Sequence, residues 1–340
     1  MTDSNSALLV VGPSWVGDMV MAQSLFIRLK QNDPKCRIDA LAPAWTLPLV
    51  DHMPEVECGI EIPLPRGALG IGARYRLGQE LRARHYDQAI LLPNSLKSAL
   101  IPFFARIPRR TGFLGEMRWG LLNDVRHLDK SVLTQTVQRF VALASSTTTM
   151  TEAPECPNPR LHVDASEIDG VRAKFALEDL PNSVLGLCPG AEYGPAKRWP
   201  EAYFARLAGE KIRQGTAVWL FGSAKDRAIC ERINQAAGGN CRNFAGQTSL
   251  NEAIALLALT DQIVTNDSGL MHVAAALGKK VIALYGSSDP KFTPPMTAQA
   301  RILTLGLECS PCFKRECPLG HFHCMKQLEP DRVLSALDQF

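Results

Sequence analysis

Short apolar segments alternate along the chain with longer stretches in which apolar residues recur at helical spacing. The first helical stretch carries Met19, Met21, Leu25, Phe26 and Leu29 on one face. Strands are predicted at residues 8–11, 38–41, 88–92, 184–187, 217–221, 263–264 and 281–285, and further helices at 201–214, 225–237, 250–259 and 270–277. Short apolar strands between helices predict an α/β protein whose parallel sheets are covered on both faces.

A change in pattern divides the chain in two. Residues 145–159 contain few apolar side chains and three prolines, which is typical of a linker. We therefore expect an N-terminal domain over residues 1–155 and a C-terminal domain over residues 160–327. A length of 340 residues is typical of two domains. Two doubly wound domains of this kind are expected to face a central cleft with the carboxyl ends of their strands.

Net charge and hydrophobic content argue against some classes of function for this chain, among them nucleic-acid binding and membrane spanning. The net charge of +3 is too small to indicate a nucleic-acid partner, although residues 61–130 hold twelve Lys and Arg against six Asp and Glu. The polar start of the chain does not resemble a signal peptide, and no apolar run is long enough to span a bilayer. We therefore expect a cytoplasmic protein whose ten cysteines are mostly reduced.

Polar residues at the end of one predicted strand indicate a nucleotide site. The segment 265–272 (T-N-D-S-G-L-M-H) places Asp267, Gly269 and His272 where the backbone N–H groups and the dipole of a helix favour a phosphate. The alternative is that Asp267 or Ser268 only caps the helix. A second polar segment, residues 189–200, also follows an apolar strand, which favours the nucleotide site.

The loop after the first strand carries a carboxylate. Residues 12–18 (G-P-S-W-V-G-D) match neither the dinucleotide fingerprint nor a phosphate-binding P-loop. Asp18 lies where the loop enters a helix, in position to act as a general base toward a bound hydroxyl. The alternative is an acidic residue that is merely favoured by the helix dipole.

Four segments together carry a family resemblance. They are G-P-S-W-V-G-D-M at 12–19, L-P-N-S-L-K-S-A at 92–99, P-G-A-E-Y-G-P-A-K-R-W-P at 189–200 and T-N-D-S-G-L-M-H at 265–272. In this order, over nearly the whole chain, they resemble the ADP-heptose:lipopolysaccharide heptosyltransferases, most of all the branch that adds the second heptose (heptosyltransferase II).

The resemblance implies a GT-B glycosyltransferase fold of two Rossmann-like domains, the first for the acceptor and the second for the ADP-sugar. A C-terminal helix at about residues 328–340 is expected to pack back on the first domain. The implied reaction is inverting transfer of L-glycero-D-manno-heptose from ADP-heptose to the first heptose of the lipopolysaccharide inner core. Transfer of the first heptose, as in heptosyltransferase I, and a GT-B-like sugar-nucleotide epimerase are the alternatives. A non-catalytic nucleotide-binding module and a metal-dependent regulatory protein explain fewer of the segments.

The same resemblance assigns residues to roles. Asp18 is the implied base and Lys197 the implied contact to the donor phosphates. The implied ADP-heptose contacts are Gly190, Glu192, Asp267, Ser268, Gly269, Leu270 and His272. The candidate acceptor contacts are Ser14, Trp15, Gly17, Asn94, Ser95, Lys97 and Arg118.

No cofactor is expected for catalysis. The chain has no Asp-x-Asp element to hold a metal on the diphosphate, so Lys197 and helix N–H groups are expected to take that place. Near the C-terminus, Cys309, Cys312, Cys317 and Cys324 lie within sixteen residues, a set compatible with structural Zn²⁺, disulfides or free thiols. Less than about a tenth of an equivalent of zinc or iron, in protein purified without chelator, would remove the metal alternative.

The expected partners follow from the implied acceptor. Kdo-lipid A bears phosphates and carboxylates, which the basic residues of the first domain are expected to attract. The enzyme is then expected to work peripherally at the cytoplasmic surface of the inner membrane, with no nucleic-acid partner. The sequence does not indicate an oligomeric state.

Overall fold

The computed structural model describes residues 6–340, and the chain divides between Arg160 and Leu161 into two compact units. Each unit is built on a six-stranded sheet whose strands all pair in parallel. Helices follow most of the strands, as the alternating pattern predicts, and the predicted α/β class is confirmed. Residues 1–5, which belong to the polar start that does not resemble a signal peptide, lie outside the described residues.

The first unit has the strand order β3-β2-β1-β4-β5-β6. Its strands are β1 (Ala7–Val11), β2 (Arg37–Pro43), β3 (Cys58–Ile62), β4 (Gln88–Leu91), β5 (Arg109–Phe113) and β6 (Asp124–Arg126). Its helices are α1 (Val16–Asn32), α2 (Leu47–Asp51), α3 (Ile71–Leu81), α4 (Leu96–Phe104) and α5 (Thr136–Ala142).

The second unit has the strand order β12-β11-β10-β7-β8-β9. Its strands are β7 (Val184–Cys188), β8 (Ala217–Leu220), β9 (Arg242–Asn243), β10 (Gln262–Asn266), β11 (Lys280–Leu284) and β12 (Ala300–Leu303). Its helices are α6 (Ala165–Lys174), α7 (Glu201–Arg213), α8 (Arg227–Ala236), α9 (Leu250–Ala258), α10 (Gly269–Ala276), α11 (His323–Lys326) and α12 (Pro330–Asp338).

Both sheets reverse their strand order at one place. Numbered within its own unit, each sheet runs 3-2-1-4-5-6, which is the order of the Rossmann fold. The reversal falls between β1 and β4 in the first unit and between β7 and β10 in the second. In such sheets ligands bind beyond the carboxyl ends of the two strands at the reversal. The four sequence segments that resemble heptosyltransferases follow these four strands.

The central strands are apolar because helices bury both of their faces. Leu9, Val11, Leu41 and Leu91 are at most 2% exposed and form one core with the helices beside them. No helix within residues 6–340 is both long and apolar enough to cross a bilayer.

Two buried polar residues of α1 explain how the predicted linker is held. The side-chain amide of Gln23 donates to the carbonyl of Arg160 over 2.7 Å, and its oxygen accepts from the Arg160 N–H over 2.9 Å. The Ser24 hydroxyl donates to the Pro157 carbonyl over 2.6 Å. This stretch has no helix or strand of its own, and side chains of α1 bond the backbone groups at its C-terminal end.

The C-terminal helix contributes to the core of the second unit. α12 buries Val333 and Leu337 there, beside α7 and β11. The expectation that this helix also packs on the first domain stays a prediction. The Lys211 amine of α7 bonds the Asp338 carboxylate over 2.8 Å, and the Gln262 side chain donates to the Leu337 carbonyl. The apolar stripe of α12 is used within its own unit.

Candidate active site

A pocket of about 340 Å³ lies at the reversal point of the first sheet. Asp18, in the first turn of α1, lines it together with residues of the loop before that helix and the loop after β4. The lining residues are Pro13, Ser14, Trp15, Asp18, Leu92, Pro93, Asn94, Phe113, Thr136, Arg139, Phe140 and Leu143. The structure therefore brings together Asp18 and three of the seven predicted acceptor contacts, namely Ser14, Trp15 and Asn94.

A second tryptophan and an arginine contact the lining residues Ser14 and Trp15. The Trp45 indole N–H donates to the Ser14 carbonyl over 2.8 Å, which fixes the loop before α1. The Arg66 guanidinium lies 3.9 Å from the centre of the Trp15 ring, a cation–π contact. The half-exposed Trp15 ring is thereby held against the loop that follows β3.

Three other predicted acceptor contacts are absent from this lining. Gly17 is buried in the first turn of α1, and Ser95 precedes α4 with its carbonyl accepting from the Ser98 hydroxyl. The Lys97 amine donates to the Gly67 carbonyl over 3.0 Å. Their assignment to the acceptor stays a prediction.

Arg118, the seventh predicted acceptor contact, lies inside the pocket wall. Its side chain is fully buried, and its guanidinium donates to the carbonyls of Pro93 and Phe113, the Asn94 side chain and the Ser98 hydroxyl. Burial lowers the pKa of the Arg118 guanidinium to about 10, so it remains charged at neutral pH. Arg118 is enclosed by protein and supports the pocket wall, and its assignment to the acceptor stays a prediction.

Replacing Arg118 with Lys is expected to lower the free energy of unfolding by about 3 kcal/mol. The guanidinium donates to several separate oxygens at once, and a lysine amine cannot reach all of them. Urea unfolding measures this. Arg109→Lys is the control, because Arg109 forms a half-exposed ion pair with Asp124 and its loss is expected to cost less than about 1 kcal/mol. An unchanged stability in Arg118→Lys, with weaker binding of a phosphorylated acceptor, would contradict the structural role and support the assignment of Arg118 to the acceptor.

The pocket also contains residues that no sequence motif indicated. Thr136 and Arg139 come from α5, a short helix that was not predicted. The Arg139 Nε–H donates to the Leu133 carbonyl over 3.0 Å, and burial lowers the pKa of its guanidinium. Asp18 and Arg139 are the two charged residues of the lining, so the pocket offers an acid and a cation to a polar ligand.

Lys197 and Asp267 meet at the reversal point of the second sheet. The lysine amine bonds the Asp267 carboxylate over 2.5 Å, with side-chain exposures of 17% for Lys197 and 6% for Asp267. Ser268, not Asp267, is the residue before α10, and it makes no side-chain capping bond. The alternative that Asp267 caps this helix is therefore wrong. The carboxylate is instead committed to the predicted phosphate-binding lysine.

Asn266 holds the two donor segments together. Its side-chain oxygen accepts from the Trp199 N–H over 3.0 Å, and its amide donates to the Pro189 carbonyl over 2.7 Å. Gly190 passes so close to Asp226 that a Cβ there would lie 2.6 Å from the Asp226 carboxyl carbon. The segment 189–200 is thus fixed at both ends, which positions Lys197.

The other predicted donor residues lie in the same region. Glu192 accepts from the exposed Lys225 amine over 2.7 Å, and the hydroxyls of Ser268 and Thr265 are 3.3 Å apart. Gly269 is the first residue of α10, and Leu270 follows it half-buried. His272 is buried one turn into the helix, close enough to Lys197 and Asp267 to feel their charges.

Burial lowers the pKa of His272 to about 4; the Asp267 charge opposes this shift and the Lys197 charge adds to it. The imidazole is therefore neutral at pH 7, able to donate one hydrogen bond and accept one.

The free energy of unfolding should consequently fall as the pH is lowered from about 6.5 to about 4, because in this range the unfolded chain protonates His272 and the folded chain does not. The loss from this residue is on the order of 3 kcal/mol, complete near pH 4. Urea unfolding at several pH values tests this. His272→Gln should flatten the profile, and an equally steep profile in the variant would contradict the assignment.

The cysteine-rich segment is seated against the donor segment. Phe313 donates its N–H to the Ser287 carbonyl over 2.7 Å and accepts from the Tyr193 hydroxyl over 2.8 Å. The Arg315 carbonyl accepts from the Ala196 N–H over 3.0 Å. A Cβ at Gly194 would lie 2.4 Å from that carbonyl oxygen, so glycine is required for this approach.

The four thiols of this segment line a cavity of about 20 Å³ and form no disulfide. Backbone N–H groups, above all that of Phe322, lower the pKa of the Cys317 thiol. Within residues 6–340 no group of three or more Cys, His, Asp or Glu is placed to hold a metal ion. A metal at Cys309, Cys312, Cys317 and Cys324 stays a prediction, which the elemental analysis described above tests.

Comparison with known proteins gives one consistent family. Residues 74–323 match the model of glycosyltransferase family 9 (heptosyltransferase). The chain is 49% identical over 338 residues to lipopolysaccharide heptosyltransferase 2 of Salmonella typhimurium, with 97% of each chain covered. It is 49% identical over 342 residues to lipooligosaccharide heptosyltransferase 2 of Haemophilus influenzae, with 98% of each covered. The solved structure of E. coli ADP-heptose lipopolysaccharide heptosyltransferase II matches with a TM-score of 0.87 at 45% identity, covering 98% of both chains.

Proposed function

The chain belongs to glycosyltransferase family 9, the heptosyltransferases, and from this premise we propose which reaction it catalyses and which residues carry it. The enzyme is a glycosyltransferase of the GT-B fold. It transfers L-glycero-D-manno-heptose from ADP-heptose to the first heptose of the lipopolysaccharide inner core. The observation that carries this assignment is identity of 49% to a lipopolysaccharide heptosyltransferase 2 over almost the full length of both chains.

The first unit is assigned to the acceptor. Its pocket contains Asp18, half-buried at a helix start, with an arginine and aromatic side chains around it. As the acceptor hydroxyl attacks the anomeric carbon, Asp18 takes its proton, so that the new C–O bond forms without a charged oxonium product. Attack on the face opposite the leaving diphosphate inverts the anomeric configuration.

The second unit is assigned to ADP-heptose. When the anomeric C–O bond to the diphosphate breaks, negative charge develops on the departing phosphate oxygens. The Lys197 amine and the first N–H groups of α10, at Gly269 and Leu270, stabilise that charge. Asp267 orients the amine over 2.5 Å. The donor site is completed by Gly190, Glu192, Leu270 and the neutral imidazole of His272. The Lys197 amine and the helix N–H groups support a reaction that requires no metal cofactor.

The acceptor assigned here is a lipid. Kdo-lipid A that carries one heptose is anchored in the inner membrane, so the enzyme works peripherally at its cytoplasmic surface and has no nucleic-acid partner. The excess of twelve Lys and Arg over six Asp and Glu in residues 61–130 supports attraction to this anionic surface.

Heptose transfer from ADP-heptose in EDTA, onto Kdo2-lipid A with and without the first heptose, tests the function. We expect product only on the mono-heptosylated acceptor. Product only on the acceptor without heptose would assign the enzyme to the heptosyltransferase I reaction. Release of free sugar with neither acceptor used would indicate an epimerase, and a requirement for added divalent metal would overturn the metal-free mechanism.

A further inference from the structure

Six large apolar side chains are exposed on one part of the first unit. They are Leu69, Ile71, Tyr75, Phe103, Met117 and Trp119, here called the apolar edge. Met117 is 80% exposed and Trp119 is 70% exposed, far more than packing in a core allows. Single exposed apolar residues are ordinary, whereas a group of them marks an interaction surface.

The three segments that carry the apolar edge converge on α4. The Lys97 amine in its first turn donates to the Gly67 carbonyl over 3.0 Å, which holds the loop bearing Leu69. The Leu96 N–H donates to the Glu116 carboxylate over 2.8 Å, which holds the loop bearing Met117. On the flank of α4, the rings of Tyr75 and Phe104 are 5.3 Å apart.

The backbone at Glu116 and Met117 adopts an energetically unfavourable conformation. Glu116 and Met117 both adopt left-handed conformations, with φ of 43° and 52°. This region is unfavourable for residues with a side chain, and two such residues in succession are uncommon. The strained turn places an apolar side chain in solvent while the neighbouring Arg118 is buried. Such strain is more often found at functional surfaces than in ordinary loops.

The segments that carry the apolar edge are rich in arginine. Arg66, Arg76 and Arg106 are exposed there, and within residues 61–130 basic residues outnumber acidic ones two to one, although Glu116 is exposed beside Met117. Apolar side chains surrounded by arginines suit a surface that offers both anionic groups and hydrocarbon, and tryptophan is enriched where membrane meets water.

The apolar edge also lies beside the acceptor pocket. The loop after β5 carries Met117 and Trp119, and β5 itself ends at Phe113, which lines the pocket. A lipid-linked acceptor must bring its sugar to the pocket while its acyl chains remain in the bilayer. We propose that the apolar edge docks this unit on an anionic membrane surface, with Met117 and Trp119 inserted at the interface, an inference that rests on the proposed lipid acceptor.

Co-sedimentation of the full chain with vesicles tests this docking. We expect binding to phosphatidylcholine–phosphatidylglycerol vesicles, weaker binding to pure phosphatidylcholine, and a decrease on raising the salt. The double variant Met117→Ser/Trp119→Ser should lose at least roughly tenfold in affinity for the anionic vesicles. Leu180→Ser/Ile302→Ser, which removes two exposed apolar side chains of the second unit, should bind as the wild type does.

Transfer assays separate this inference from the proposed function. With mono-heptosylated acceptor in vesicles, Met117→Ser/Trp119→Ser should have a reduced kcat/KM, and with the deacylated, water-soluble acceptor its kcat/KM should equal that of the wild type. Wild-type transfer to the soluble acceptor without any vesicle binding would overturn the docking and leave the proposed transferase function intact.

Vesicle binding without transfer to either acceptor would overturn the proposed transferase function. A wild-type dimer that Met117→Ser/Trp119→Ser dissociates, with no loss of vesicle binding, would assign the apolar edge to self-association and overturn the docking.

Discussion

Asp18→Asn is expected to lower kcat for heptose transfer by roughly 10²–10⁴-fold, the range of general-base catalysis. The amide has almost the shape of the carboxylate but cannot accept the proton of the attacking hydroxyl. The first-turn position of Asp18 and its place in the pocket wall are both retained by asparagine. Because the donor residues belong to the second unit, the Kd for ADP should change little, which isothermal titration calorimetry measures beside the transfer rate.

The alternative role for Asp18 predicts a different result. A carboxylate that only interacts with the helix dipole contributes about 0.3–1 kcal/mol to stability, and its loss would leave transfer nearly intact. Asp33→Asn is the matched control, since Asp33 lies just past the other end of α1 and accepts from the Ser6 hydroxyl over 2.6 Å. A thermal shift in Asp18→Asn with transfer within about threefold of the wild type would assign Asp18 to the helix and not to the reaction.

Sequence pattern predicted the parts of the fold that lie next to the ligand sites. The strands β1 and β7 are continuous apolar runs because both of their faces are buried, and β4 and β10 contain shorter apolar runs, so this pattern is readable without a structure. The polar residues that follow each run lie at the carboxyl ends of strands. Once the sheets are parallel, topology alone brings such loops together in pairs.

The missed elements have weaker patterns for physical reasons. β3 is a partly exposed edge strand with Gly59 and Glu61 outward, and β5 begins with two arginines, so neither forms an apolar run. The helix α5, with Thr136 and Arg139, follows a loop and not a strand end. Its contribution to the pocket depends on tertiary packing, because its sequence contains no motif.

Two placements could not be predicted from the sequence for the same reason. The sequence shows that α12 is amphipathic but not that α7 and β11 receive its apolar stripe. It shows Arg118 among basic residues but not that its guanidinium donates to carbonyl, hydroxyl and amide oxygens of the pocket wall. Burial of a charge is a property of the assembled fold, so a local sequence pattern does not reveal it.

Lys197→Met is expected to reduce transfer by about 10²–10³-fold, the loss that accompanies removal of one group aimed at developing charge. The variant also leaves the Asp267 carboxylate, 6% exposed, without its cation at the place assigned to the diphosphate. An unpaired buried charge is costly, so a loss of about 3 kcal/mol in the free energy of unfolding is expected beside the kinetic effect.

The double variant Lys197→Met/Asp267→Asn separates these two effects. Replacing the carboxylate removes the unpaired charge, so the free energy of unfolding should recover while transfer stays low, because the leaving phosphate still has no cation. Lys174→Met is the control, since Lys174 pairs with Glu252 over 2.6 Å at the surface of the same unit and its loss should affect neither quantity by much. Recovery of both transfer and stability in the double variant would contradict the proposed role of Lys197. The Lys197–Asp267 pair would then be a structural ion pair, and the helix N–H groups of α10 alone would stabilise the leaving diphosphate.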